Sequence, residues 1–174
     1  MVFDLQRILE HRRRAFPPPY PNGWYRVCSA EDIAHGRVHS ISALGREMVA
    51  FRGEDGEVGV LHAYCPHLGA HLGAGGSVKG NTIECPFHGW SFDTKGKCVH
   101  IPYSKMPVPA RATTHAYEAR EILNMVFVWF DAEGRAPLWE LQHHQDVMDE
   151  SRFYYATMAQ VEFDQHVCEM SMNR

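Results

Sequence analysis

Hydrophobic and polar positions alternate along most of the middle of the chain. Residues 24–28 (WYRVC), 37–44 (RVHSISAL), 47–51 (EMVAF) and 57–63 (EVGVLHA) are short runs rich in branched and aromatic side chains, separated by polar gaps. Runs of this length and composition predict strands. Glu54-Asp55-Gly56 sits between two of them and predicts a tight hairpin turn. Ser29 followed by Asp32 matches a capping box, so AEDIAHG predicts one helical turn closed by Gly36. Further strands are expected at 98–101 (CVHI), 114–122 (THAYEAREI) and 125–130 (MVFVWF). The expected fold class is mainly β, a small antiparallel sandwich or barrel.

The two ends have a different character. Phe3, Leu5, Ile8 and Leu9 fall at roughly helical spacing, enough for a short amphipathic helix, and a proline-rich strip at 16–23 (FPPPYPNG) enforces an extended path packed on its own domain. At the other end, Asp131-Ala132-Glu133-Gly134 turns the chain out of its last strand and Pro137-Leu138-Trp139 leads out of the domain. Residues 152–163 (RFYYATMAQVEF) then read as a long strand, followed by the start of a helix. The expected division is a lead-in at 1–23, the β domain at 24–136, and a linker with the opening of a second unit at 137–174. No internal repeat or low-complexity tract interrupts this order.

Composition narrows the picture only a little. The 174 residues suffice for one well-buried domain, and 45% hydrophobic with 22% charged residues is ordinary for a globular protein. A formal charge of −4 gives no reason to expect a nucleic-acid partner, and the basic run His11-Arg12-Arg13-Arg14 reads as solvated. No stretch has the length of a membrane-spanning helix and the N-terminus lacks a signal-peptide core, so an intracellular location is expected. Five cysteines, two of them beside histidines, argue against a disulfide framework.

Those two cysteines lie in paired loops. Cys65-Pro66-His67-Leu68-Gly69-Ala70 and Cys85-Pro86-Phe87-His88-Gly89-Trp90 are separated by 17 residues between His67 and Cys85. Each offers one thiolate and one imidazole, with a proline to stiffen the loop and a glycine to let it turn after the histidine. Two metal readings fit. A structural zinc site takes two Cys and two His, but draws Cys with Cys and His with His from single turns. A mixed-ligand [2Fe–2S] centre places both thiolates on one iron and both imidazoles on the other, which two matching Cys/His loops supply directly. The second reading is favoured, with Cys65, His67, Cys85 and His88 as cofactor and metal ligands. Cys28, Cys98 and Cys168 read as small buried hydrophobes, His71 as a loop residue and His143-His144 as solvated.

CPHLGAHL followed by ECPFHGWSFD resembles the signature of the Rieske proteins. In the respiratory members each loop carries an extra cysteine, joined as a disulfide, and a Ser and a Tyr donate hydrogen bonds to the cluster sulfurs. Here Ala70 and Phe87 stand at the cysteine positions, and Trp90 and Phe92 replace the donors. The resemblance is therefore to the Rieske non-haem iron oxygenases and ferredoxins, whose clusters have low potentials because the reduced, more negative cluster lacks those hydrogen bonds. FPPPYPNGWYRV, the loop region and GKCVHIPY are together similar to the cholesterol 7-desaturases of the Neverland family.

That resemblance implies a reaction and partners. An NAD(P)H-dependent reductase or a ferredoxin supplies electrons, and the cluster passes them singly to a mononuclear Fe(II) in an α+β helix-grip domain. There O2 is activated and a sterol oxidised, cholesterol to 7-dehydrocholesterol. It also implies a homotrimer in a full-length form and a membrane-associated enzyme with its cluster facing the cytosol. Glu169 and Asn173 resemble the start of the helix that carries the catalytic iron ligands, and Arg174 ends the sequence before the Asp and His of that helix. No catalytic residue of the mononuclear site is therefore expected in this chain, and no turnover by it alone. A standalone Rieske ferredoxin is the alternative, and it leaves the aromatic strand at 152–163 without a purpose.

Overall fold

The computed structural model describes residues 20–142 and 151. Among the described residues ten strands form three antiparallel sheets: β1 (Gly23–Ser29) with β10 (Met125–Phe130) and β9 (Ala119–Ile122), β2 (Val38–Ala43) with β3 (Arg46–Arg52) and β4 (Val58–His62), and a four-stranded sheet of β5 (Ser77–Lys79), β6 (Thr82–Glu84), β7 (Ser91–Asp93) and β8 (Cys98–His100). The fold is mainly β, as expected. One 3₁₀ segment, Ala30–Gly36, follows β1. Its capping box is present, with the Ser29 amide donating to the Asp32 carboxylate at 2.8 Å.

β3 explains why the sheets stack as they do. Met48, Val49, Ala50 and Phe51 are all fully buried, so both faces of the strand are covered. Side chains alternate across a strand, and here the alternation feeds two cores. Val49 and Phe51 join Leu61, Leu72, Ile83 and Phe92 on one side. Met48 and Ala50 join Ile33, Ile41, Val60, Val126 and Val128 on the other. Gly59, opposite Phe51 in the β3–β4 ladder, leaves room for that ring, since a Cβ there would stand 2.7 Å from it. Arg52 on β3 and Glu121 on β9 add a half-exposed ion pair at 2.7 Å between the sheets.

Two hairpins turn on residue pairs in the left-handed region, as two-residue primed turns require. Leu44-Gly45 joins β2 to β3, with φ of 58° and 65°, and Leu123-Asn124 joins β9 to β10, with φ of 53° and 60°. The expected strand over 114–122 is shorter than its pattern, being a strand only from Ala119. Residues 114–118 instead run beside β4, where the amide of His62 donates to His115 O and that of Tyr117 to Val60 O. The end of the proline-rich strip is held to the domain: Tyr20 packs edge-on to Phe130, and the Tyr25 hydroxyl donates to Pro21 O at 2.6 Å. The expected N-terminal helix, the strand at 152–163, the helix start with Glu169 and Asn173, and Cys168 and His143-His144 lie outside the described residues.

Past β10 the chain is turned by Asp131, whose side chain is almost fully buried. Arg135 donates to both of its carboxylate oxygens at 3.0–3.1 Å, and the amides of Glu133 and Arg135 donate to Oδ1 at 2.9 and 3.1 Å. The Arg135 side chain, opposed by burial and aided by those amides, holds the Asp131 carboxyl down at about 2. Trp139 then folds back onto Trp129, ring centroids 4.6 Å apart, and accepts the Trp24 indole N–H at its carbonyl.

A carboxyl that ionises at about 2 when folded and about 3.9 when unfolded stabilises the fold fully above pH 4 to 5, and loses that contribution as pH falls through 2. Asp131→Asn is therefore expected to be less stable than the parent at pH 7, with the gap closing on acidification. Urea midpoints measured from pH 7 to pH 2 check this, and a gap independent of pH contradicts it.

Candidate metal centre

The two Cys/His loops occupy equivalent ends of strands. The first lies between β4 and β5, and the second connects β6 to β7. In the first, the Cys65 amide donates to Ala70 O at 2.8 Å and the Gly69 amide to Cys65 O at 2.9 Å. In the second, the Cys85 amide donates to Trp90 O at 2.8 Å and the Gly89 amide to Cys85 O at 3.0 Å. The same two bonds thus close both loops, although one has a single residue between Cys and His and the other has two. Gly69 and Gly89 both take left-handed φ, 74° and 70°, where an L side chain is strained.

The loops bring the four side chains together as two pairs. Cys65 and Cys85 are buried, each 3% exposed, and belong to the same core cluster as Phe92 and Leu72. Cys85 lies close enough to Cys65 to raise its thiol. His67 and His88 are half-buried, with ring centroids 4.8 Å apart and planes at 70°. The arrangement is thiol with thiol and imidazole with imidazole. Among the described residues no group of three or more His, Cys, Asp and Glu is gathered closely enough to hold a metal ion.

Two further observations fit a cationic group between the loops. His67 Nδ1 is buried and has no hydrogen-bond partner, a costly state for a polar atom that a ligand bond would relieve. Burial pushes the Cys65 thiol up to about 11, with Cys85 alongside raising it and the His67 amide opposing. Two adjacent buried thiolates need positive charge to persist, and iron supplies it. Both observations, and the donor set itself, suit a two-iron cluster.

The surroundings carry few polar donors. Phe92 is fully buried beneath the loops, and the Trp90 indole N–H donates away from the cysteines to the Tyr103 hydroxyl at 2.7 Å. Cys28 and Cys98 are buried thiols, and burial raises both, Cys28 to about 12. The four described cysteines are all free, Ala70 is partly buried against the core and Phe87 is 62% exposed. His71 stands beside the first loop, with Nδ1 accepting from the Gly73 amide and its ring edge-on to Tyr64 at 5.1 Å. Sequence spacing did not single out Tyr103, which lies 13 residues after Trp90 and outside either loop.

The family model for the Rieske [2Fe–2S] domain matches residues 23–117. The chain belongs to the Rieske family. A cholesterol 7-desaturase of Hemicentrotus pulcherrimus is 42% identical over 175 residues, covering 98% of this chain and 37% of that protein. A Rhodococcus rhodochrous oxygenase component, named as a probable 3-ketosteroid-9-alpha-monooxygenase, is 46% identical over 125 residues, covering 72% of this chain and 31% of that protein. Among solved structures, dicamba monooxygenase is 28% identical with a TM-score of 0.60, covering 67% of this chain and 37% of the other. This Rieske chain thus spans about a third of the length of the curated relatives it matches. Its relatives are Rieske oxygenases, and among its described residues no helix is long and apolar enough to cross a membrane.

The two glycines test how tightly the loops are held. Gly69→Ala meets nothing within 4 Å and should cost only the left-handed strain, about 1–2 kcal/mol. Gly89→Ala carries the same strain and also places Cβ 2.9 Å from Pro102 Cγ. Denaturant unfolding should therefore rank Gly89→Ala as the more damaging of the two, and equal losses would contradict the packing described here.

Proposed function

We propose that this chain is the electron-relaying Rieske part of a sterol-oxidising oxygenase or desaturase, with Cys65 and Cys85 holding one iron and His67 and His88 the other. The observation that carries the reading is the two-by-two pairing of buried thiols and half-buried imidazoles on identically closed loops. A bound [2Fe–2S] cluster supplies reversible one-electron chemistry. The chain's own residues do the rest. The cysteines and the core beneath them keep water from the sulfur side, and the histidines bring the other side to the surface where a partner can approach. With Phe92 apolar and the Trp90 N–H committed to Tyr103, neither residue stabilises added negative charge, which favours a low potential.

On this reading the donor is an NAD(P)H-dependent reductase or a ferredoxin, and the acceptor a mononuclear iron that reacts with O2. Sterol is the proposed substrate class, because the matched desaturases are named for cholesterol and the bacterial relative for a 3-ketosteroid. The catalytic iron ligands are proposed to lie in the two-thirds of the relatives' length that this chain does not span. Residues 1–23 are then a lead-in, 24–136 the Rieske domain, and 137–174 a linker and the opening of the catalytic domain. The matches run through 98% of the chain, well past the Rieske domain at 117, which favours an oxygenase part over a standalone carrier. Trimeric assembly and attachment to a membrane, with the cluster facing the cytosol, belong to the same proposal.

Coulometric titration of the chain after anaerobic reconstitution with iron and sulfide tests the relay. One electron per chain at a potential below that of respiratory Rieske centres is expected, and His88→Ala should abolish the signal. Uptake of no electron by the iron-loaded parent, or unchanged uptake by the variant, would refute the assignment.

A further inference from the structure

Trp90 is not among the four proposed ligands, yet its indole lies flat on one of them. The indole comes from the second loop and the His67 imidazole from the first, with centroids 4.6 Å apart and planes only 7° from parallel. The terminal torsion of a histidine is broad and soft by itself, so a ring stacked against its face removes a freedom that the covalent chain leaves open.

The indole is in turn braced from behind. Its N–H donates to the Tyr103 hydroxyl at 2.7 Å. Tyr103 stands in a short turn closed by the Ser104 amide donating to Ile101 O at 3.1 Å, and Ile101 is anchored in the core. Pro102 of the same turn lies over Gly89, the residue between His88 and Trp90. One turn after β8 therefore grips the second loop at two successive residues, and through Trp90 it reaches across to the first. His88 has different company: Phe87, 62% exposed, is tilted against it at 4.0 Å, and His67 meets it edge-on. The two imidazoles are unequally supported.

The geometry points to Trp90 as a positioning residue for His67, with Tyr103 as its brace. This rests on the ligand assignment proposed above. Ligand rings need second partners to fix their orientation, and loss of such partners typically weakens metal binding by one to two orders of magnitude. Tyr103 is 60% exposed, so the arrangement makes a surface side chain a determinant of a half-buried ligand.

The test uses the whole chain, reconstituted with iron and sulfide and reduced, as parent, Trp90→Leu, Trp90→Phe and Tyr103→Phe. Pulsed EPR resolves the couplings of the two histidine nitrogens, and chelator-driven bleaching gives the rate of cluster loss. Trp90→Leu should broaden one nitrogen coupling, leave the other, and bleach about tenfold faster than the parent. Tyr103→Phe should broaden the same coupling less, and Trp90→Phe, which keeps an aromatic face, should recover most of its sharpness. A merely structural loss would disturb both couplings together, without rescue by Phe, and would overturn the positioning role. So would a parent with two couplings that Trp90→Leu and Tyr103→Phe leave unchanged. Should Trp90→Leu fail to load, the exposed Tyr103→Phe site still decides. A parent without two nitrogen couplings refutes the ligand assignment itself, and this inference with it.

Discussion

Two pairs of backbone hydrogen bonds hold the candidate site together. In each loop the cysteine amide reaches a carbonyl five residues on, and a glycine amide reaches back to the cysteine carbonyl. Because these bonds involve only main chain, loops with different Cys-to-His spacing close in the same way. The glycines permit the closure by taking a left-handed conformation that other residues adopt only under strain.

The site is also an extension of the core. β3 is covered on both faces, and the core formed by Val49 and Phe51 runs without a break to Cys65 and Cys85. Burial makes the Cys65 thiolate costly in the absence of nearby positive charge. Few polar side chains surround the cysteines, and the His67 amide is the donor that reaches Cys65. Apolar surroundings and the diverted indole N–H both act against an extra electron on the proposed cluster, in line with the low potential proposed for it.

Much of this was legible in the chain. The strands with branched and aromatic runs appear where the pattern placed them, MVFVWF matching β10 residue for residue, and the Ser29–Asp32 capping box forms. In the structure Cys65 lies beside Cys85 and His67 beside His88. What the pattern missed has physical reasons. β5, β6 and β7 are three residues each, too short for alternation to register, and exist because they pair with one another and frame the loops. Residues 114–118 have strand-like composition, but their backbone bonds are scattered, Thr114 to Gly96, His115 and Tyr117 to β4, and Glu118 to Trp129. Leu44 and Leu123 in left-handed turn positions defy local preference, since hairpin twist decides there. Tyr103 belongs to the site only through a contact 13 residues distant, which no spacing rule reveals.

Mössbauer spectroscopy of the chain reconstituted with iron-57 addresses the central claim most directly. The account predicts two iron sites of equal intensity with distinct parameters, one in an all-sulfur environment and one in mixed sulfur and nitrogen, and separate ferric and ferrous sites on one-electron reduction. A pair of equivalent all-sulfur irons, or a chain that takes up one zinc in preference to two irons, would contradict it.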